Sequence, residues 1–183
     1  MTLYYATTNK NKFREARQIL GIAIKQASIA LDELQGSGTL IVEHKARQAY
    51  LKLRQPVFVE DVEFYIEGLN GLPGPYIKHF LAALQPAGLY ALASPTRKLN
   101  ARAVSRVGYC SSGNKVRIFT GQVSGRIVKP AGRHGFGFDH IFVPEGSSKT
   151  WAQLRPEDKN AISHRARSLA RLRHFLRMNK SFK

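Results

Sequence analysis

The first twenty-one residues already restrict the fold. Leu3-Tyr4-Tyr5-Ala6 is a short apolar run of strand character that stops at the polar, doubly basic turn Thr7-Thr8-Asn9-Lys10-Asn11-Lys12. Phe13, Ala16, Ile19 and Leu20 then recur at helical spacing, and Gly21 supplies a stop. Thr39 is the expected cap of a second helix, with Val42, Ala46, Ala49, Tyr50 and Leu53 along one side. Pro56-Val57-Phe58-Val59 reads as a buried strand ending at Glu60-Asp61. The chain thus opens strand, helix, helix, strand, an α/β beginning.

Glu63 to Glu67 alternates polar and apolar residues and is expected to leave the first sheet and pair elsewhere. Gly68 to Pro75 is too rich in Gly and Pro for regular structure, and two short helices follow over Tyr76 to Leu84 and Pro86 to Ala93. Ala101 to Ser111 and Val116 to Val128 are β-like stretches joined at the turn Ser112-Gly113-Asn114, the second long enough to bend or split at Gly121 or Gly125. Ile141-Phe142-Val143 forms a brief strand ending at Pro144. Pro156 with Glu157 and Asp158 marks a helix start, and Ile162, Ala166, Leu169, Leu172, Phe175 and Leu176 continue it as one long amphipathic helix. Without repeats or an obvious linker, the 183 residues, 43% of them apolar, are expected to form one domain.

No stretch reaches the roughly 18 apolar residues of a membrane span, and the start lacks a signal pattern, so a soluble, cytoplasmic protein is expected. Cys110 is the single cysteine, which excludes an intramolecular disulfide and argues against a zinc site built on thiolates. A metal would need oxygen ligands. The 29 Lys and Arg against 12 Asp and Glu leave a net charge of +17, which favours anionic partners. From Ser163 on, Arg165, Arg167, Arg171, Arg173, Arg177, Lys180 and Lys183 occur with no acid. A nucleic acid would suit that run, although no aromatic-rich reading surface accompanies it and a solvated helix face is the favoured explanation.

Four polar clusters stand at expected element boundaries. In the opening turn, backbone N–H groups at a helix start with Lys10 and Lys12 beside them suit a phosphate chain, while an Asn there also serves simply as a cap. Glu60-Asp61, with Glu33 upstream beside Asp32, offers carboxylates to a hard cation such as Mg²⁺; strand-end acids are equally common as solvated turn residues. In Gly135-Phe136-Gly137-Phe138-Asp139 the glycines let backbone and ring approach a flat ligand, although core aromatics in a bent loop have the same look. Lys159-Asn160-Ala161-Ile162-Ser163-His164-Arg165 sets an ammonium, an imidazole and a guanidinium within seven residues.

Taken together, TTNKNKFREARQIL, VEDVEFYIEGLNGLPGPYIKHF, TGQVSGRIVKP, FGFDHIF and PEDKNAISHRARSL resemble, in order and spacing, the inosine triphosphate pyrophosphatase family over about Leu3 to Phe175. That resemblance implies an elongated α/β fold with a mixed, twisted central sheet flanked by helices, two lobes with a nucleotide cleft between them, and a homodimer. It further implies Mg²⁺-dependent hydrolysis of ITP, dITP and XTP to the monophosphate and pyrophosphate, which cleanses the nucleotide pool.

By the same resemblance, Thr7, Thr8, Asn9, Lys10, Asn11 and Lys12 bind phosphate, with Lys12 the foremost contact. Glu33 and Asp61 are the magnesium-associated acids, Asp61 doubles as general base, and Glu60 is its acidic neighbour. Lys45 and Lys78 lie near the substrate. Phe136, Gly137, Phe138 and Asp139 form the base-binding segment, and Lys159, His164 and Arg165 hold the nucleotide and recognise the purine. The chain departs from the family pattern at Val62, where a hydroxyl residue is usual beside the site, at Thr8 in place of Gly, at Phe138 in place of Trp or Tyr, and at His140 in place of Pro. Two other readings compete: a nucleic-acid-binding protein on this scaffold with weakened catalysis, and a pyrophosphatase for another altered nucleotide.

Overall fold

The structure, a computed structural model, describes residues 2–113 and 115–179. β1 (Leu3–Ala6) hands over to α1 (Lys10–Leu20), which ends on Gly21 in the left-handed conformation. β2 (Ile24–Ala27) then pairs parallel with β1 along its whole length, Leu3 opposite Ile24 and Ala6 opposite Ala27. This strand escapes a reading by pattern, because Lys25 and Gln26 interrupt its only apolar positions. α2 (Gly38–Leu53) is capped by Ser37, whose hydroxyl accepts from the Leu40 N–H, so Thr39, the expected cap, lies inside the first turn.

β3 (Val57–Ile66) corrects the expectation most. It does not end at Glu60-Asp61 but runs straight through them, pairing parallel with β1 in its first half and antiparallel with β4 (Pro73–Gly74) in its second. Strand continuation through acids is affordable only when partners inside the protein replace water. Glu60 has such partners, described below, and buried Glu63 accepts from the Tyr65 hydroxyl.

α3 (Ile77–Ala93) is two helical pieces, as expected, broken at Gln85 (φ 56°) before Pro86. β5 (Asn100–Cys110) and β6 (Val116–Ile127) follow, the latter unbroken at Gly121 and Gly125; Asn114 of the expected turn lies outside the described residues. β7 (Phe142–Pro144) pairs antiparallel with β6. α4 (Pro156–Ile162) has Pro in its first turn and stops at Ser163, whose extended backbone (ψ 162°) separates it from α5 (His164–Met178). The expected single long helix is therefore two, and Ile162 is exposed rather than part of the buried stripe. Lys180 and Lys183 lie outside the described residues.

The strands form one mixed sheet in the order β2-β1-β3-β5-β6-β7, with β4 added on β3. Two compact units divide the chain. The first comprises residues up to Asp61, Ser105–Gly121 and those from Arg165 on; the second comprises Val62–Val104 and Gln122–His164. In the first unit, strand alternation splits the core in two. Leu3, Tyr5, Phe58, Val107 and Tyr109 pack with Ala16 and Leu20 of α1 and Leu169, Leu172 and Leu176 of α5. Ala6, Val57, Val59 and Cys110 pack on the other face with Val42, Ala46 and Ala49 of α2. The second unit encloses Phe64, Leu89, Phe138, Phe142 and Trp151.

The α2 backbone approaches β5 closely at Gly108, where an added Cβ would stand 2.9 Å from the Val42 carbonyl oxygen and 3.1 Å from the Ala46 Cβ. Gly108→Ala is expected to lower unfolding free energy by about 1–3 kcal/mol through overpacking. Gly21→Asn, at φ 62° with open space around it, should cost well under that. Urea unfolding of the two variants checks the ordering.

Candidate functional site

In the first unit, the turn after β1 is an N-cap before it is anything else. Asn9 Oδ1 accepts from the backbone N–H groups of Asn11 (2.9 Å) and Lys12 (3.0 Å), and Asn9 N–H donates to Thr7 Oγ1 (3.1 Å). The Gln26 amide of β2 donates to the Thr7 carbonyl (2.8 Å), tying the turn to the neighbouring strand. Lys10 starts α1 on its exposed side. Lys12 turns inward, and its ammonium lies 3.5 Å from the Glu60 carbonyl oxygen and 3.7 Å from the Glu60 carboxylate. Burial pulls the Lys12 pKa below the ordinary lysine value, against the opposing charge of Glu60.

The paired acids of β3 have different surroundings because successive strand residues face opposite ways. Glu60 points into the α1–α5 side, where its carboxylate accepts from the Tyr5 hydroxyl (3.0 Å), the Ser105 hydroxyl (2.7 Å) and Arg165 Nε (3.0 Å). Ser105 in turn meets Ser168 of α5 at 2.7 Å. Arg165 is buried and also pairs with Glu15 of α1, so one guanidinium joins two carboxylates. Burial alone would lower the Arg165 pKa, but Glu60 and Glu15 outweigh it and hold the group charged. Burial, reinforced by the Glu60 charge, raises the Tyr5 phenol pKa well above its ordinary value, which keeps it a donor.

Asp61 points to the α2 side. There Lys45 Nζ bridges Asp61 Oδ1 (3.1 Å) and Glu33 Oε2 (3.0 Å). Burial works against the Lys45 charge, but Asp61 and Glu33 prevail and its pKa is raised. The segment carrying Glu33 has no regular structure and is tied to α2, with Asp32 N–H donating to Gln48 Oε1 (2.8 Å) and His44 lying 3.4 Å from the Asp32 carboxylate. Two carboxylates therefore converge on one cation, and the donors are all oxygen. Among the described residues no group of three His, Cys, Asp or Glu could hold a metal unaided. A hard ion completed by water and phosphate fits such a pair; a fully protein-ligated ion does not.

In the second unit, Gly137–His140 forms a 3-10 turn in which Asp139 accepts from the Phe136 N–H (2.8 Å) and from the buried Lys159 ammonium. The same ammonium stands 4.9 Å from the centre of the half-buried Phe136 ring and 5.9 Å from that of Trp151. His164 stacks on Trp151 with ring centres 5.1 Å apart and planes 12° apart. Phe138 is core, stacked on Phe64 at 4.2 Å. Val62 packs in the same core, which accounts for an apolar residue there. Lys78 is exposed at the start of α3.

The expected residues are thus grouped rather than scattered, with Thr7–Lys12, Glu33, Lys45, Glu60 and Asp61 in the first unit and Phe136–Asp139, Lys159 and His164 in the second. Arg165, expected with Lys159 and His164 to hold the nucleotide, lies in the first unit and pairs with Glu60 and Glu15. Sequence reading missed Tyr5, Glu15, Ser105, Ser168 and Trp151. The sole tryptophan was the one signal that could have drawn notice, since a Ser or Tyr inside a strand carries no local mark of its partners.

The Ham1 family description matches residues 3–175. A dITP/XTP pyrophosphatase of Methanopyrus kandleri is 39% identical over 98% of both chains, and an inosine triphosphate pyrophosphatase of Schizosaccharomyces pombe is 37% identical over 98% of this chain and 97% of its own. Among solved structures, a HAM1 protein from Coxiella burnetii superposes with TM-score 0.85 at 25% identity, covering 97% of this chain and 99% of that one.

Arg165→Met would leave buried Glu60 and partly buried Glu15 around a missing cation and is expected to destabilise the protein by about 3–5 kcal/mol. A second test uses pH. Because the folded-state pKa of Lys12 lies below its unfolded value, its protonated form opposes folding. That cost is full at low pH and disappears as pH rises from the lowered value through the ordinary 10.5. Denaturant unfolding of the native protein against Lys12→Met should show the difference moving in favour of the native protein across that interval.

Proposed function

From the premise that the chain belongs to the Ham1 family, we propose that it is a nucleoside triphosphate pyrophosphatase acting on non-canonical purine nucleotides, cleaving ITP, dITP and XTP to the monophosphate and pyrophosphate. The observation that carries the reading is the meeting of Lys45, Glu33 and Asp61 beside the Lys12–Glu60 pair. Cations and carboxylates alternate there, as phosphoanhydride hydrolysis requires: positive charge for the departing pyrophosphate and a carboxylate for water.

In this reading Thr7, Thr8, Asn9, Lys10 and Asn11 border the phosphates, and the Lys12 ammonium neutralises charge building on the leaving group. Lys45 and Lys78 add positive charge near the substrate. Asp61 orients the attacking water and takes its proton. Glu60, already saturated with internal donors, holds Lys12 in place from beneath and is not itself the base. Arg165 acts on the site through Glu60. Glu33 and Asp61 would hold Mg²⁺, which when bound supplies further neutralisation of phosphate oxygens.

Phe136 offers the purine a ring face, while Gly137, Phe138 and Asp139 fix that ring and Lys159. Lys159 and His164 act as donors toward a 6-keto oxygen. Adenine presents its own amino donor at that place, so two donors would be left facing each other, a mismatch that discriminates strongly. The resemblance also implies a homodimer, which size-exclusion chromatography with light scattering would test.

Incubation with ITP, dITP, XTP, GTP and ATP, with and without Mg²⁺, and measurement of pyrophosphate tests the reading. Release is expected from the first three substrates only with Mg²⁺, with kcat/KM at least about 100-fold above that for ATP. Absence of release from every keto-purine triphosphate overturns the proposal. Asp61→Asn should reduce kcat by about 10²–10⁴ while the protein stays folded, with an unchanged far-UV circular dichroism spectrum. Phe136→Ala should raise KM more than it lowers kcat.

A further inference from the structure

The net charge of +17 is not spread evenly. Among the described residues, the first unit carries seventeen Lys and Arg against six Asp and Glu, and the second carries ten against six. Within the first unit the acids are also segregated. Asp32, Glu33, Glu43 and Asp61 interact with side chains of α2, whereas on the side of α1 and α5 the two carboxylates, Glu15 and Glu60, both turn onto buried Arg165.

What α1 and α5 show to solvent is consequently basic. The two helices pack on one face of the sheet through a shared core, and Arg173 Nη1 donates to the Ile19 carbonyl at 3.3 Å, holding them side by side. Arg14 and Arg17 are exposed on α1, and Arg167, Arg171 and Arg177 are exposed along α5. Arg117 of β6 adds a sixth charge by lying over the Phe175 ring, 4.8 Å from its centre. Arg171 donates to the Thr120 carbonyl, a neutral partner that orients the guanidinium without cancelling its charge. At a 1.5 Å rise per residue, the three α5 arginines extend over about 15 Å.

We propose that this α1–α5 face binds the phosphate backbone of nucleic acid, independently of sequence and apart from the catalytic cluster. A row of guanidinium groups at intervals of about 6–9 Å needs a ligand whose negative charge recurs along a line, which a nucleoside triphosphate does not provide. The apolar side of α5 is consumed by the core, leaving no second face to enter a lipid surface. Among the described residues, Met178 is the one well-exposed large apolar residue of the face, so they supply no cluster of aromatic or aliphatic anchors such as a protein interface uses. Charge recurrence without apolar anchors selects a polyphosphate backbone.

The test is fluorescence anisotropy of labelled 20-nucleotide single strands and duplexes titrated with the full-length protein between 50 and 200 mM salt. Expected is a Kd of about 1–100 µM at physiological salt. For single strands the plot of log affinity against log salt should have a slope of about −3 to −4, equivalent to roughly five phosphate contacts. Arg17→Gln/Arg171→Gln/Arg177→Gln should make that slope shallower by about 2, while hydrolysis of ITP stays unchanged. Arg14→Gln/Arg17→Gln, away from the Thr120 contact, should reduce it by about 1.4. The proposal is overturned by absence of binding at 50 mM salt or by slopes that neither variant changes. Displacement of the oligonucleotide by saturating ITP would also overturn it, as would equally tight, equally variant-sensitive binding to polyglutamate or to phosphatidylserine vesicles. Because the readout is anisotropy and not turnover, it stands or falls separately from the pyrophosphatase reading.

Discussion

One buried guanidinium organises the first unit. Arg165 is inaccessible to water and joins Glu60 of β3 to Glu15 of α1, while Tyr5, Ser105 and Ser168 complete the hydrogen bonding around Glu60. A charge so placed is tolerable only with its partners present, since desolvating either sign alone costs several kcal/mol. The network therefore requires β1, β3, β5, α1 and α5 to be in register together. Lys12, the residue assigned to the phosphates, is attached to this assembly through both the carbonyl and the carboxylate of Glu60. The position of Lys12 is thereby fixed by the ion network around Glu60.

The same strand gives two adjacent acids different partners. Glu60 and Asp61 are adjacent, yet alternation sends one into a saturated interior and the other toward Lys45 and Glu33. Two neighbouring carboxylates thereby acquire unlike environments without any change of residue type. The second unit uses a different device: a buried Lys159 held by Asp139 against Phe136, with His164 stacked on Trp151. There Phe138 and Phe142 pack against the Trp151 ring that carries His164.

Charge segregation is the third consequence. With so few acids, and with Glu15 and Glu60 drawn inward by Arg165, the outer sides of α1 and α5 are left with cations. The satisfaction of a buried arginine and the basic character of the surface above it are thus two results of one arrangement.

Periodicity and punctuation were enough to find β1, α1 with its Gly21 stop, the broken α3, β5, β6 and the Pro156 helix start, because each depends on residues within a few positions of one another. The ordered motifs likewise carried the expected substrate class and the residues to be tested. Sequence alone did not disclose β2, whose polar centre is sustained by pairing with β1, or the extension of β3 through Glu60-Asp61, which depends on partners elsewhere in the chain. It also did not disclose the interruption at Ser163 that separates α4 from α5. Arg165 meets Glu60 across 105 residues and Glu15 across 150, and no local pattern encodes such a meeting. What the sequence by itself determined is the locally encoded elements and the residue types of each cluster; which carboxylate is buried in the Arg165 network, which meets Lys45 and Glu33, and which surface stays basic were decided only when tertiary packing chose the partners of each buried charge.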